Sequence, residues 1–406
     1  MMIDSRPAVQ TLGQWIGSLY GLPCGRNTMA QETELKLLLR PETLPALLAH
    51  PLLGGQRPRP RRLRNTYVDT PALDLMARGI AVRERRIGRS TLLTVKTAGT
   101  SIGGLSVRGE WEGPTRPGQP DFPALLGEHP LATTLAALAD ELAPVFRTDF
   151  TRRAWHLEHA GARIELALDQ GHIMASRGTA TRREPLLELE LELVDGPAHA
   201  LYELALSLAW PTDNDPVRPG LWLMPSDRSK AQRGLALFLG RGPTVQQPAP
   251  AATDPGTDPR QAFRTVAWAC LGTLQANLAH LALDADALAA AAFVHHSRAA
   301  LARLLAALDQ HASWLPAPFV ATWRTYWQAA DRRLTPPGPD ATPSPRWMRP
   351  LHEALQAPAP GLALLAFARD LHRLDHDGAG APRPAQPRAA SSRARVRKAS
   401  ARAAAA

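Results

Sequence analysis

Between Glu32 and Leu239 the chain repeats short runs in which apolar and charged residues alternate, separated by Gly, Pro and Asp. Such runs predict β-strands. Residues two apart in a strand share a face. Glu32, Glu34 and Lys36 therefore stand together, as do Arg83 and Arg85, Thr94 and Lys96, and Arg108 and Glu110. The stretch Leu187–Leu193 sets Glu188, Glu190 and Glu192 against four leucines. From Arg260 to about Asp377 the pattern becomes Ala/Leu-rich with a helical repeat, clearest from Ala287 to Leu308. The intervening residues 241–260, RGPTVQQPAPAATDPGTDPR, read as a Pro-rich linker.

Alternation alone leaves two readings of the charged faces. In a half-exposed strand the charges lie in water, and for any single segment that is the simpler account. Five or more such strands in one domain also suit an antiparallel sheet that closes on itself with a polar interior. An interior holding both signs would suit a polyanion and its metal ions. Carboxylates are hard ligands for Mg²⁺ or Mn²⁺, and ammonium and guanidinium groups hold phosphate oxygens.

Composition sharpens this picture. Of 47 basic residues only Lys36, Lys96, Lys230 and Lys398 are lysines. The first three each close a patterned segment, which suits a compact ammonium used as a point charge on phosphate. The net charge of +10 is mostly local, because Arg383, Arg388, Arg393, Arg395, Arg397, Lys398 and Arg402 crowd a terminal stretch without acids. That tail, 379–406, is expected to be disordered and is the only segment suited to nucleic acid. Residues 1–28 read as an N-terminal extension, with Met29 an alternative start. Cys24 and Cys270 are too few for a disulfide framework and lack metal-ligand spacing. No apolar run stands out as membrane-spanning and no secretory signal pattern opens the chain, so a cytoplasmic protein is expected.

Glu32-Thr33-Glu34-Leu35-Lys36 resembles the N-terminal ExExK signature of the CYTH superfamily, the triphosphate tunnel metalloenzymes. Supporting segments follow in family order: Tyr67–Pro71, Val82–Arg85, Leu93–Lys96, Asp149–Arg152, Glu165–Asp169, Glu188–Glu192 and Ser229–Gly234. The resemblance implies an α+β chain: an eight-stranded antiparallel β tunnel over 29–240, then an all-α helical-bundle domain over 261–378. It is most similar to the bacterial branch that hydrolyses inorganic triphosphate and carries a helical CHAD domain. Val294-His295-His296-Ser297-Arg298, followed by Arg303, resembles the opening helix of CHAD domains, though Ala302 and Leu305 stand where further arginines are expected.

Carried over by position, the resemblance implies phosphate binding at Lys36, Arg83, Arg85, Lys96, Arg108, Arg152 and Lys230. It implies metal organisation by Mg²⁺ or Mn²⁺ at Glu32, Glu34, Asp169, Glu188, Glu190 and Glu192, with one of the Glu190/Glu192 pair steering water. Glu110 joins them, Arg64 is a lesser candidate, Arg62 suits solvent, and Glu165 is expected to be structural. Tyr67, Asp69 and Thr70 read as a strand end and turn. His295, Arg298 and Arg303 would contact polyphosphate. The expected activity is hydrolysis of tripolyphosphate to pyrophosphate and phosphate. The alternatives are a nucleoside or thiamine triphosphatase, an adenylate cyclase, or a non-catalytic polyphosphate-binding module.

Overall fold

The computed structural model describes residues 30–210, 220–248, 256–283, 287–336 and 345–376. The expected N-terminal extension, the alternative start at Met29 and the basic tail lie outside these residues, as does the middle of the Pro-rich stretch.

Eight antiparallel strands close into a barrel. They are β1 (Ala30–Leu39), β2 (Arg61–Asp69), β3 (Ala81–Ile87), β4 (Ser90–Lys96), β6 (Leu105–Pro114), β7 (Ala143–His159), β8 (Ala162–Arg177) and β9 (Ala180–Asp195). The order around the barrel is β1-β9-β8-β7-β2-β3-β4-β6, and β6 pairs back onto β1. Two short strands, β5 (Thr100–Ile102) and β10 (Leu223–Pro225), flank β6 and β1. Closure removes free sheet edges and gives each alternating strand an inside and an outside. The polar face turns inward.

The outward face is the folding core, because helices cover it. Leu189 and Leu191 of β9, with Leu35 and Leu37 of β1 and Leu166 and Leu168 of β8, are buried against a helix, His199–Ala209, and the helices beyond it. Val82, Leu93, Val95 and Trp111 pack under the short helices Phe122–Leu126 and Leu131–Leu138. A third cluster, Leu63, Tyr67, Phe146, Phe150, Ile173 and Leu186, lies instead on the inward face, where it packs against the helix Lys230–Leu239 beside the lumen. That helix starts with a reciprocal cap: Ser229 Oγ accepts from Gln232 N at 3.2 Å, and Gln232 Oε1 accepts from Ser229 N at 2.8 Å. At Gly234 a Cβ would lie 2.1 Å from the Phe146 ring, so only glycine permits this close seat.

The helical region comprises Pro259–Leu283, Ala287–Gln310, Ala317–Leu334, Pro345–Leu355 and Pro358–His376. It shares one continuous apolar core with β1, β8 and β9. The start of the Pro-rich stretch is docked as well: Gln246 N donates to Asn277 Oδ1 at 3.0 Å, and Asn277 Nδ2 donates to Gln246 O at 2.9 Å. Pro259–Leu283 is, by length and mean hydropathy of 1.2, apolar enough to cross a membrane, contrary to the expectation from sequence. Here it is a core helix whose buried Thr273, Gln275 and Asn277 hydrogen-bond within the fold.

Candidate functional site

The barrel encloses a cavity of about 330 Å³ lined by Glu32, Glu34, Lys36, Arg83, Arg85, Lys96, Arg108, Glu110, Arg152, Glu190, Glu192 and Lys230, among others. All but the last sit on strands. Lys230 is the first residue of its helix, which the Ser229/Gln232 cap aims into the barrel.

Cross-strand register sets the pairing. Lys36 stands opposite Glu190 and Glu34 opposite Glu192 on β9, while Glu32 faces Arg108 on β6. Lys96 faces Glu110, and Arg152 faces Asp169. Two acid–base networks result.

In the first, Lys230 Nζ donates to Asp169 (2.7 Å), Glu188 (2.5 Å) and Glu190 (2.9 Å). Arg152 forms a two-pronged bond to Asp169, 2.7 Å on each arm, and reaches Glu190 at 2.5 Å. Arg233 pairs with Glu188 at 2.9 Å. Burial opposes the Glu190 charge, but Lys230, Arg152 and Lys36 hold its carboxyl well below the usual range.

The second network holds Lys96 against Glu32 (2.8 Å) and Glu110 (2.9 Å), and Arg108 against Glu32 (2.8 Å) and Glu34 (2.6 Å). Arg83 lies 3.6 Å from both Glu110 and Glu112, and Arg85 lies 3.6 Å from Glu112. Glu192 differs from its neighbours. Among the described residues no hydrogen bond or ion pair joins its side chain to another. Burial, then Glu32, Glu110 and Glu165, push its carboxyl well above the usual range. Lys36 links the two networks, 3.1 Å from Glu34 and 3.9 Å from Glu190. Burial works against its charge, yet Glu34 and Glu190 hold its pKa above the ordinary lysine value.

Carboxylate oxygens of Asp169, Glu188 and Glu190 lie within 4.8 Å of one another, close enough to hold a metal ion. The Lys230 ammonium touches all three. A buried carboxylate without a counter-charge is costly. Glu192 is the lumen carboxylate without a cation of its own, and with Glu34 opposite it and Glu32 nearby it offers hard oxygen donors that fit a divalent cation.

Several sequence expectations change. Asp169 and Glu188 are fully buried and bind Lys230, Arg152 and Arg233. Arg64 does not enter the lumen: with Arg62 it lies exposed on the outer face, both paired to Asp149. Tyr67 is more than a strand end, because it lines the cavity, stacks on Phe146 at 4.3 Å and helps hold the Arg83 charge. Asp69 does serve a turn, accepting from the backbone of Thr70, Leu75 and Met76. Glu165 is 9 % exposed and faces His156 at 3.9 Å. The residues expected to contact polyphosphate lie on the helix Ala287–Gln310. His295 is exposed beside His296, Arg298 faces Asp331 at 3.7 Å, and Arg303 acts on buried Cys270 of the preceding helix.

Sequence reasoning passed over Glu112, Arg233 and Asp227. Glu112 continues the two-residue rhythm of Arg108 and Glu110, and Arg233 lies one helical turn beyond Lys230, so both carried a signal. Asp227 carried none.

Residues 30–210 match the CYTH domain. CYTH triphosphate tunnel enzymes are metal-dependent, in keeping with the carboxylates described above. The chain is 33 % identical over 222 residues to an inorganic triphosphatase of Haemophilus influenzae. The aligned part is 52 % of this chain and 56 % of that protein, so the chain spans little more than half the length of that relative. Among solved structures, a Hippeastrum protein described as a candidate adenylyl cyclase with dominant triphosphatase activity is 19 % identical, with a TM-score of 0.34. The match covers 52 % of this chain and 96 % of that one. A candidate adenylate cyclase from Bacillus halodurans is 18 % identical, with a TM-score of 0.30 over 45 % of this chain and 94 % of that one.

Proposed function

We infer that the tunnel binds inorganic triphosphate and, with a divalent cation, hydrolyses it to pyrophosphate and phosphate. The observation that carries this reading is the arrangement of the lumen, where each base is held by an acid and one carboxylate, Glu192, is left without a cation of its own. A polyanion entering alone would take the bases and strand their carboxylates. A polyanion with a divalent cation exchanges partners instead: phosphate oxygens draw on Lys36, Arg83, Arg85, Lys96, Arg108, Arg152 and Lys230, and the cation draws on the carboxylates they release, with Glu32, Glu34 and Glu192 or Asp169, Glu188 and Glu190 as its ligands. Binding of triphosphate is therefore expected to depend on metal, and the name of the Haemophilus relative supports the substrate class.

When bound, a Mg²⁺ or Mn²⁺ ion would neutralise charge on the phosphoryl oxygens. The remaining work is positioning and charge stabilisation, which dominate phosphoryl transfer. The oxygen of water bonds to the terminal phosphorus as the bridging P–O bond breaks, the bond's electron pair leaves with pyrophosphate, and the water's proton passes to a lumen carboxylate and on to solvent. Glu190 spends both oxygens on Lys230 and Arg152, so its part is to hold those cations. Glu192, free of such partners, is the carboxylate available to cation or water. The helical region is read as a CHAD-like module.

The test is phosphate release from tripolyphosphate with and without divalent cation, beside ATP, thiamine triphosphate and long-chain polyphosphate. Cation-stimulated release from tripolyphosphate above the other substrates supports the reading. Preferred release from ATP or thiamine triphosphate, cyclic AMP formation, or polyphosphate binding without hydrolysis would each replace it.

A further inference from the structure

The Asp227 carboxylate lines the cavity, yet the chemistry above gives it no task. Its three hydrogen bonds come from two separate parts of the chain. Oδ1 accepts from Ser101 Oγ of β5 at 2.9 Å and from Gly104 N in the β5–β6 turn at 3.1 Å. Oδ2 accepts from Gln275 Nε2 at 2.9 Å. Gln275 belongs to the first helix of the helical region, Pro259–Leu283, and is 1 % exposed.

What Asp227 fastens leads directly to Lys36. The Lys36 backbone N–H donates to Gly104 O at 2.9 Å, and its carbonyl accepts from Ser226 N at 2.9 Å. Both backbone groups of Lys36 are thus held by the two segments that Asp227 ties together. The turn has no slack. Gly104 has φ +82°, and a Cβ there would lie 2.9 Å from Leu35 Cδ1 and from Pro225 Cβ. At Gly103, φ +69°, a Cβ would lie 2.9 Å from Trp268 and 3.1 Å from the Tyr202 hydroxyl, which donates to Gly103 O at 3.3 Å. The helices grip the turn from outside while Asp227 and Gln275 pin it from within.

We propose that Asp227 and Gln275 are positioning residues through which the helical region sets the place of Lys36 in the tunnel. Helix Pro259–Leu283 is then part of the tunnel's own framework, not a separate appendage. The Gln275 amide supplies a means to separate geometry from charge. Its Oε1 is buried without a partner. In Asp227→Asn the amide can turn over and present that oxygen to the new Nδ2 donor, restoring the link without the carboxylate charge.

The proposal rests on the triphosphatase reading only for its activity arm, so two measurements are made on the full chain. One is amide hydrogen exchange at Lys36, and the other is turnover of tripolyphosphate with Mg²⁺. In Gln275→Met and Asp227→Ala, exchange at Lys36 speeds up and turnover falls by roughly 2- to 30-fold, the size of a coupling carried through packed elements. In Asp227→Asn most of both is regained. Parent-like exchange and turnover in Gln275→Met and Asp227→Ala overturn the proposal. So does an Asp227→Asn variant as impaired as Asp227→Ala, which would mean that Asp227 acts by its charge. If Gln275→Met does not fold, the Asp227 pair decides alone. A parent protein that releases no phosphate sinks the triphosphatase reading and leaves the exchange measurement to judge the link.

Discussion

Two groups of carboxylates share one lumen and meet different fates. Asp169, Glu188 and Glu190 are fully matched by Lys230, Arg152 and Arg233. Glu32, Glu34 and Glu110 are met by Lys96, Arg108, Lys36 and Arg83, and Glu192 beside them has no cation of its own. On the proposed reading the first group holds Lys230 and Arg152 in place, and Glu192 in the second is the carboxylate left open to an added cation.

The contrast breaks most sharply at Lys230. Lys230→Met leaves three buried carboxylates with less than their complement of cations, and losing one partner of a buried pair costs about 3–5 kcal/mol. Urea unfolding should show a loss of that order, and an unchanged midpoint would mean that the matched network contributes nothing. Lys36→Ala should keep the fold and lower tripolyphosphate turnover by ~10²–10³, the usual effect of removing one preorganised charge from a site. Parent-like turnover would remove Lys36 from the site.

Glu192→Gln tests the second group. Without divalent cation it should melt at or above the parent temperature, because a neutral amide replaces a carboxyl whose ionisation burial, Glu32, Glu110 and Glu165 all oppose. In the parent, Mg²⁺ at a hundred times its Kd stabilises by about 2.7 kcal/mol. Calorimetry should show that gain shrink in Glu192→Gln, and an equal gain would place the cation elsewhere. Smallest of all is Arg62→Ala on the outer face. Its exposed pairing with Asp149 is screened by solvent, so turnover should stay within about twofold of the parent. A larger loss would extend the site beyond the lumen.

How much of this could be read in advance varies by residue. Glu32, Glu34 and Lys36 were legible as a unit because two-residue periodicity is local to one strand. Arg64 misled because Arg62 and Arg64 alternate just as regularly on the opposite face of β2. Glu188 sits in the same inward row as Glu190 and Glu192, and nothing in its neighbours distinguishes a carboxylate held by Lys230 and Arg233 from one held by none. Those partners come from a helix more than forty residues further along the chain.

The amino-acid order alone determined that acids and bases would lie on common strand faces, that leucines would oppose them, and that a helical region would follow. Strand geometry makes such facts local. Only the tertiary structure decided which acid meets which base, because Lys96 reaches Glu32 across 64 residues and Gln275 reaches Asp227 across 48. It also decided that the helical region shares the barrel's core. Pairing and packing of this kind depend on register between distant segments, which no single stretch of sequence encodes.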